Sequence, residues 1–323
     1  MQIVINTFGA FIGKREDCFI VKIDNEYKLI SARKVSSILI TTHASFSTDV
    51  IELALKYNID ILFLNKYGDP IGRIWHPKLG STTTIRRRQL EIADGEEGLK
   101  LAVEWVLRKI DNQVKFLGEL KRHREAKREK LEEYIVRLET IKETMSILTG
   151  TIEEKRQTIM GLEGSAGRTY FEAISYIMPE RFKFKGRSRQ PAVDEFNCLL
   201  NYCYGILYSI VEKACIIAGL DPFVGFIHTD NYNKKSLVFD LIEQYRIIAE
   251  RTVLNLFSKK VVKNEFFDKI RNGLTLNKSG KEKIITAFNE RLDTKVRYKG
   301  RNITERDIIQ FDCHRIAQRL IGR

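Results

Sequence analysis

No run of about 18 apolar residues, the length a membrane-spanning helix needs, occurs in this 323-residue chain. The N-terminus, MQIVINTFGAF, lacks the basic n-region and full apolar core of an export signal. The expected location is therefore the cytoplasm, with no membrane partner. Cysteine is scarce: Cys18, Cys198, Cys203, Cys215 and Cys313 form no CxxC and no Cys/His spacing of the zinc kind. Cys198, Cys203 and Cys215 sit among apolar residues and read as reduced core cysteines, which fits a reducing cytoplasm and argues against a zinc fold. P-loop, GxGxxG, GxSxG and HExxH are all missing, which removes the nucleotide-switch, hydrolase-elbow and zincin readings. Internal repeats and low-complexity tracts are missing too.

What is present is a chain rich enough in apolar residues to bury real cores (43% hydrophobic, 10% aromatic) and strongly basic, with 55 Lys+Arg against 42 Asp+Glu and a net charge of +13. Such a balance favours a polyanionic partner, nucleic acid before an anionic membrane surface. Up to about residue 80 short strand-like runs recur (MQIVIN, CFIVKI, YKLIS, VSSILITT, IDILFLN, IGRIW), broken by turn residues. One exception, TDVIELALKYN, reads as an amphipathic helix after a Ser47/Thr48 cap. Beyond that point the period becomes helical. EEGLKLAVEWVLRKIDNQ and the sequence that follows read as one long helix or an antiparallel pair, and later helices follow AVDEFNCLLNYCYGILYSIVEKACIIAGL and SLVFDLIEQYRIIAERTVLNLF. The expectation is α+β: an N-terminal β-sandwich-like domain over residues 1–80, a linker over 81–95, and a larger all-α domain over 96–323.

One residue breaks the helical pattern. At about 100° per residue Glu163 stacks with Ala166, Gly167, Tyr170, Ile174 and Ile177, while Arg168 and Glu172 fall opposite. A carboxylate on an apolar face must be protonated, paired or holding a cation. A structural ion pair with Arg168 or Arg246 is one answer. The other is a metal. His228 ends an apolar loop, and Asp240 and Glu243 follow at i, i+3. Alone, Asp240, Glu243, Gln244, Arg246 and Glu250 read first as the solvated arc of an amphipathic helix. Taken with Glu163, however, Glu243 and His228 offer two hard oxygen donors and an imidazole. That set suits Mn²⁺ or Mg²⁺, with the imidazole favouring manganese. Asp240 is then placed to orient His228 or a bound water. In RFKFKGRSR the cations Arg181, Lys183, Lys185, Arg187 and Arg189 recur with period two around Phe182 and Phe184, as in a ribbon able to follow phosphates or, equally, a solvated loop. Arg86–Arg88 and KRHREAKREK read as solvated helix faces, and His43, His76, His123 and His314 as structural or surface residues.

LEGSAGRTYF (162–171), RSRQPAVDEFNCLLNYCYGIL (187–207), GLDPFVGFIH (219–228) and SLVFDLIEQYR (236–246), in that order, resemble the CRISPR-associated integrase/endonuclease family, the first Cas protein. ITTHASFSTDVIELALKYNIDILFLNKYGDPIGR (40–73) is similar to that family's β-domain. The resemblance implies that Glu163, His228 and Glu243 are the metal ligands and that Asp240 is an acidic position important to activity. Some members carry Asp where Glu243 stands. It also implies a homodimer joined through the N-terminal domain, a small second Cas protein as partner, and DNA that is cut and joined into a repeat array. Arg168, Tyr170, Arg246 and the 181–189 segment are then expected near the DNA. Two other function classes share these features: a DNA-binding scaffold without catalysis, and a metal-dependent nuclease or resolvase acting on branched DNA or on RNA.

Overall fold

A computed structural model describes every residue except Asn25, Lys66, Asp69, 76–82, 229–233 and Arg323. The N-terminal elements are β1 (Gln2–Ile5), β2 (Phe11–Arg15), β3 (Cys18–Ile23), β4 (Glu26–Ser31), β5 (Ser37–Ile40), β6 (Ser45–Phe46), α1 (Thr48–Lys56), β7 (Asp60–Leu64) and β8 (Pro70–Ile74). Next come α2 (Thr83–Ile92), α3 (Glu96–Arg122), α4 (Arg128–Ser146), α5 (Ile152–Ile177), α6 (Glu195–Ala218), α7 (Ser236–Ile242) and α8 (Arg246–Ser258). The chain closes with β9 (Phe267–Ile270), β10 (Gly273–Leu276), α9 (Lys278–Leu292), β11 (Lys295–Tyr298), β12 (Arg301–Thr304) and α10 (Glu305–Leu320). The class is α+β, strands first and helices after, as the change of period implies.

The eight N-terminal strands form two four-stranded sheets, ordered β1-β5-β7-β8 and β4-β3-β2-β6. Parallel pairing aligns Ile3, Ile38 and Ile61 in one row. All three are buried, in a core with Ile12 and Phe19 of the second sheet and Val50, Leu53 and Ala54 of α1. Burying each such side chain contributes about 1.5–3 kcal/mol. Ser47 is the N-cap of α1 by its extended backbone, but its hydroxyl makes no capping bond.

The chain divides into two compact units, neither a single stretch of sequence. The first comprises Met1–Lys78, Arg189–Ser209 and Val262–Asn289; the second comprises Leu79–Ser188, Ile210–Val261 and Glu290–Arg323. Of the stretch expected as a linker, Thr83–Ile92 is the helix α2. The two readings left open for residues 96–147 resolve into a pair, α3 and α4, joined through a 3-10 turn at Glu125–Lys127. α5 opens on a capping box in which Thr151 and Glu154 exchange side-chain to backbone hydrogen bonds.

Two hairpins interrupt the portion expected to be wholly helical. β11 and β12 are joined by Lys299 and Gly300, both with positive φ, the backbone of a tight two-residue turn. β9 and β10 close around Arg271 and Asn272, the latter at φ 65°. The expected single helix over 236–257 is also broken: Glu243–Tyr245 is a turn of 3-10 helix between α7 and α8. Mid-helix 3-10 turns often mark functional positions. Among the described residues, no helix is long and apolar enough to cross a membrane.

Candidate metal centre

α3 presents a stripe of buried residues at helical spacing: Leu99, Ala102, Val106, Lys109, Gln113, Phe116 and Leu120. Lys109 is the charged member, and its side chain is only 7% exposed. Its ammonium donates to Glu163 Oε1 from α5 and, at 2.6 Å, to Glu243 Oε2 from the 3-10 turn. Arg246 takes the other oxygen, Glu243 Oε1, at 2.7 Å. Burial by itself disfavours the Glu243 carboxylate, but Arg246 and Lys109 outweigh it and hold its pKa at about 2. Burial likewise opposes the charge on Lys109, and the two carboxylates reverse that, keeping its pKa above the ordinary value. Glu163 is less enclosed than its place on an apolar face suggests, with a third of its side chain exposed.

His228 is set by Asp240, which is wholly buried. Asp240 Oδ2 accepts from the backbone N–H of Phe226 (2.6 Å) and Ile227 (3.0 Å). Its Oδ1 accepts from His228 N (3.0 Å) and His228 Nδ1 (2.6 Å). A carboxylate can only accept, so Nδ1 carries the proton and the lone pair of a neutral ring lies on Nε2. The loop can approach α7 this closely only because residue 225 is glycine. A Cβ there would stand 2.5 Å from both the His228 carbonyl oxygen and Ser236 Cβ. Burial pulls the His228 pKa down, but the bond to Asp240 and the charges of Asp240, Glu243 and Glu163 win, leaving it raised. The imidazole thus lies within the fields of both other expected ligands.

The turn that carries Glu243 is fixed from behind. Asn112 of α3 donates to the Gln244 carbonyl at 3.0 Å. Arg108 donates to Gln244 Oε1 at 3.1 Å and to Asp312 Oδ2 at 2.6 Å. Tyr298 OH donates to Asp312 Oδ1 at 2.7 Å, and the rings of Tyr245 and Tyr298 each lie within 5.5 Å of the Arg108 guanidinium. Upstream, Gln89 of α2 brackets the loop before His228, donating to the carbonyls of Asp221 and Val224 and accepting from Asp221 N, each at 2.9 Å.

In donor type the centre fits a divalent ion: two carboxylates and one imidazole, with a protein cation already standing between the carboxylates. The buried amide of Gln113, one turn along α3 from Lys109, makes no hydrogen bond among the described residues. As the side chains stand, no three His, Cys, Asp or Glu groups among the described residues are close enough together to hold an ion. Lys109 occupies the shared edge of two of them.

The sequence model of the family described as "CRISPR associated protein Cas1" matches residues 3–290. The chain belongs to the Cas1 family. A "CRISPR-associated endonuclease Cas1 1" from Archaeoglobus fulgidus is 31% identical, the alignment covering 100% of this chain and 97% of the relative. Among solved structures, a casposase bound to integration product has the same fold, with a TM-score of 0.85, 21% identity, and coverage of 99% of this chain and 90% of the other. A chain of a Cas6-RT-Cas1–Cas2 complex matches with a TM-score of 0.82 and 22% identity, over all of this chain and 35% of that longer one.

Other residues expected near the DNA fall variously in this Cas1 chain. Arg168 is exposed on α5 and Arg246 is the partner of Glu243, but Tyr170 is wholly buried, ring edge against Phe171. It packs the interior and offers no surface to DNA. The 181–189 segment is not an extended ribbon throughout. It begins as a 3-10 turn at Glu180–Phe182, Phe182 lies 4.9 Å from Phe257, and Phe184 is buried. Ser175 Oγ donates to the Phe184 carbonyl and accepts from its N–H, at 2.6 and 3.0 Å. Phe184 is thus packed inside, and Phe182 is half-buried with its ring against Phe257. Arg181, Lys183, Lys185 and Arg189 are exposed, whereas Arg187 is half-buried over the Phe171 ring. The polar arc Asp240, Glu243, Gln244 and Glu250 is buried, so the solvated-face reading of that helix is set aside. His76 lies outside the described residues, as do Thr229 and Asp230 beyond His228. Lys109, Arg108 and Asp312 were not singled out by sequence. The signal for Lys109 was the same as for Glu163, a charge on an apolar helical stripe.

Proposed function

We propose that the protein is a metal-dependent DNA endonuclease and integrase of CRISPR adaptation, cutting DNA and joining spacer ends to the repeat array by phosphodiester transesterification. The observation that carries this reading is the approach of Glu163 and Glu243, from separate elements, to one buried cation, with a histidine oriented by Asp240 lying within the field of both carboxylates. Glu163, Glu243 and His228 Nε2 would hold the ion, and manganese would suit the mixed donor set better than magnesium. The chemistry such an ion supplies when bound is polarisation of the scissile phosphodiester and stabilisation of charge on the leaving oxygen.

The chain's own residues do the rest. Arg246 keeps Glu243 ionised, Asp240 engages His228 through Nδ1 and so leaves the lone pair of the neutral ring on Nε2, and Arg108 with Asn112 anchors the turn beneath Glu243. In integration a DNA 3′-hydroxyl attacks phosphorus, the P–O3′ bond of the repeat strand breaks, and the released oxygen takes up a proton. The net charge of +13 draws the polyanion in. DNA, a second copy of the chain and the small Cas2 protein are the inferred partners. Support comes from family membership and from the casposase integration product and Cas1–Cas2 assembly that share the fold.

The test is Mn²⁺-dependent cutting of branched DNA and strand transfer from a 3′-end, with Glu163→Ala and Glu243→Ala. Loss of both activities in folded variants is expected, and undiminished activity would refute the reading. RNA offered alongside separates the DNA enzyme from a ribonuclease.

A further inference from the structure

Lys109 has no part in the reaction above, yet its ammonium stands between two of the proposed ligands, Glu163 and Glu243. It touches Glu163 Oε1 and Glu243 Oε2, and Arg246 covers Glu243 Oε1. Two carboxylates therefore face two fixed protein cations, and this cluster is neutral before any ion arrives. Both oxygens of Glu243 are occupied. An incoming ion meets no uncompensated anionic cage: to reach the Glu163–Glu243 edge it must take oxygens from an ammonium that is itself nearly removed from water. Removing that ammonium would leave two carboxylates with less to hold them together, one of them almost wholly buried.

We propose that Lys109 is a built-in counter-cation of the catalytic centre, holding Glu163 and Glu243 together without metal and competing with the divalent ion for their oxygens. The proposal rests on the metal reading above and deepens it by naming what regulates ion capture. Lys109 then acts as a brake on loading. The ion binds more weakly than two carboxylates and an imidazole alone would allow, and ion binding and withdrawal of the ammonium are one linked equilibrium.

The experiment is calorimetric titration of Mn²⁺ into wild type, Lys109→Met and Lys109→Arg, with melting temperatures recorded with and without Mn²⁺. Methionine keeps the length and apolar stem and removes the charge. Lys109→Met should bind Mn²⁺ at least about tenfold tighter than wild type, corresponding to 1.4 kcal/mol. It should melt lower than wild type without metal and gain more from Mn²⁺. Lys109→Arg should bind no tighter than wild type. If Lys109→Met does not fold alone, a cooperative melt restored by Mn²⁺ supports the proposal, and no restoration overturns it. Equal or weaker Mn²⁺ binding by folded Lys109→Met also overturns it, since Lys109 would then be a support of the ligands and no competitor. Binding in wild type that Glu163→Ala and Glu243→Ala leave undiminished would overturn the metal reading itself, and this proposal with it.

Discussion

Replacing Asp240 by Asn changes one buried atom and disturbs four hydrogen bonds. Oδ2 receives two backbone N–H donors and Oδ1 receives His228 N and Nδ1. The asparagine amide supplies one oxygen and one NH₂: turned one way the NH₂ faces the N–H groups of Phe226 and Ile227, and turned the other it faces His228 N and is accepted by Nδ1 only if the ring moves its proton to Nε2. Each buried donor left unsatisfied costs about 1–3 kcal/mol, and the charge-assisted component of the retained pair is lost as well. With partial relaxation the net cost is about 3–5 kcal/mol. The unit containing Asp240 has roughly 200 residues, for which each kcal/mol lowers the melting temperature by about 2–4 °C, so a fall of about 6–20 °C is expected. Calorimetry on metal-free protein measures it, and amide exchange at Phe226, Ile227 and His228 should accelerate together. A loss below about 1 kcal/mol, or exchange unchanged at these three amides, would refute the claim that Asp240 builds the His228 loop.

Arg108→Met leaves the nearly buried Asp312 with two tyrosine hydroxyls and a longer ion pair to Arg315, at 3.5 Å. After discounting for the partial exposure of the guanidinium, it should cost about 2–3 kcal/mol by thermal denaturation; no change would mean the network is idle. The His228 pKa is raised in the folded metal-free chain. Its ionic contribution is therefore fully present below the unfolded value of 6.5 and is lost as pH rises through the folded value. The stability gap between wild type and His228→Gln should narrow over that interval; a gap widening with pH would contradict the assignment. Replacing Arg181, Lys183 and Lys185 with Ala should weaken DNA binding and lower the slope of log affinity against log salt by up to about 3 if each meets a phosphate. Anisotropy titrations at several salt concentrations decide this, an unchanged slope making the segment a connector. Phe184→Ala empties a buried site and should cost about 3–4 kcal/mol, read in the same denaturation assay.

Local pattern and long-range placement were unequally legible. The N-terminal strands and α1 follow from short β-branched and aromatic runs between turns, but the parallel rows joining β1, β5 and β7 pair segments far apart in sequence, which periodicity cannot see. The 3-10 turn at Glu243 has no glycine or proline to announce it. It is held by Asn112 and Arg108, more than a hundred residues upstream. The hairpins were announced, by Asn272-Gly273 and Lys299-Gly300, yet lie among stronger helical signals. At the centre, Glu163 stood out because its helix face was otherwise apolar, and His228 and Glu243 gained meaning from the family resemblance. Lys109 showed the same anomaly on α3, between Val106 and Gln113. Its pairing with Glu163 across 54 residues is visible only in the folded chain. Tyr170 shows the reverse error: proximity in a motif suggested a DNA contact, whereas the apolar stripe it shares with Ala166 and Ile174 takes it into the interior.

The central claim is that Glu163, Glu243 and His228 hold one divalent ion. Anomalous scattering at the manganese edge, from crystals of this protein grown with Mn²⁺, tests it most directly. The predicted result is a peak within coordination distance of both carboxylates and of His228 Nε2, with the Lys109 ammonium withdrawn from their shared edge. A peak elsewhere, or none while Lys109 still bridges Glu163 and Glu243, would contradict it.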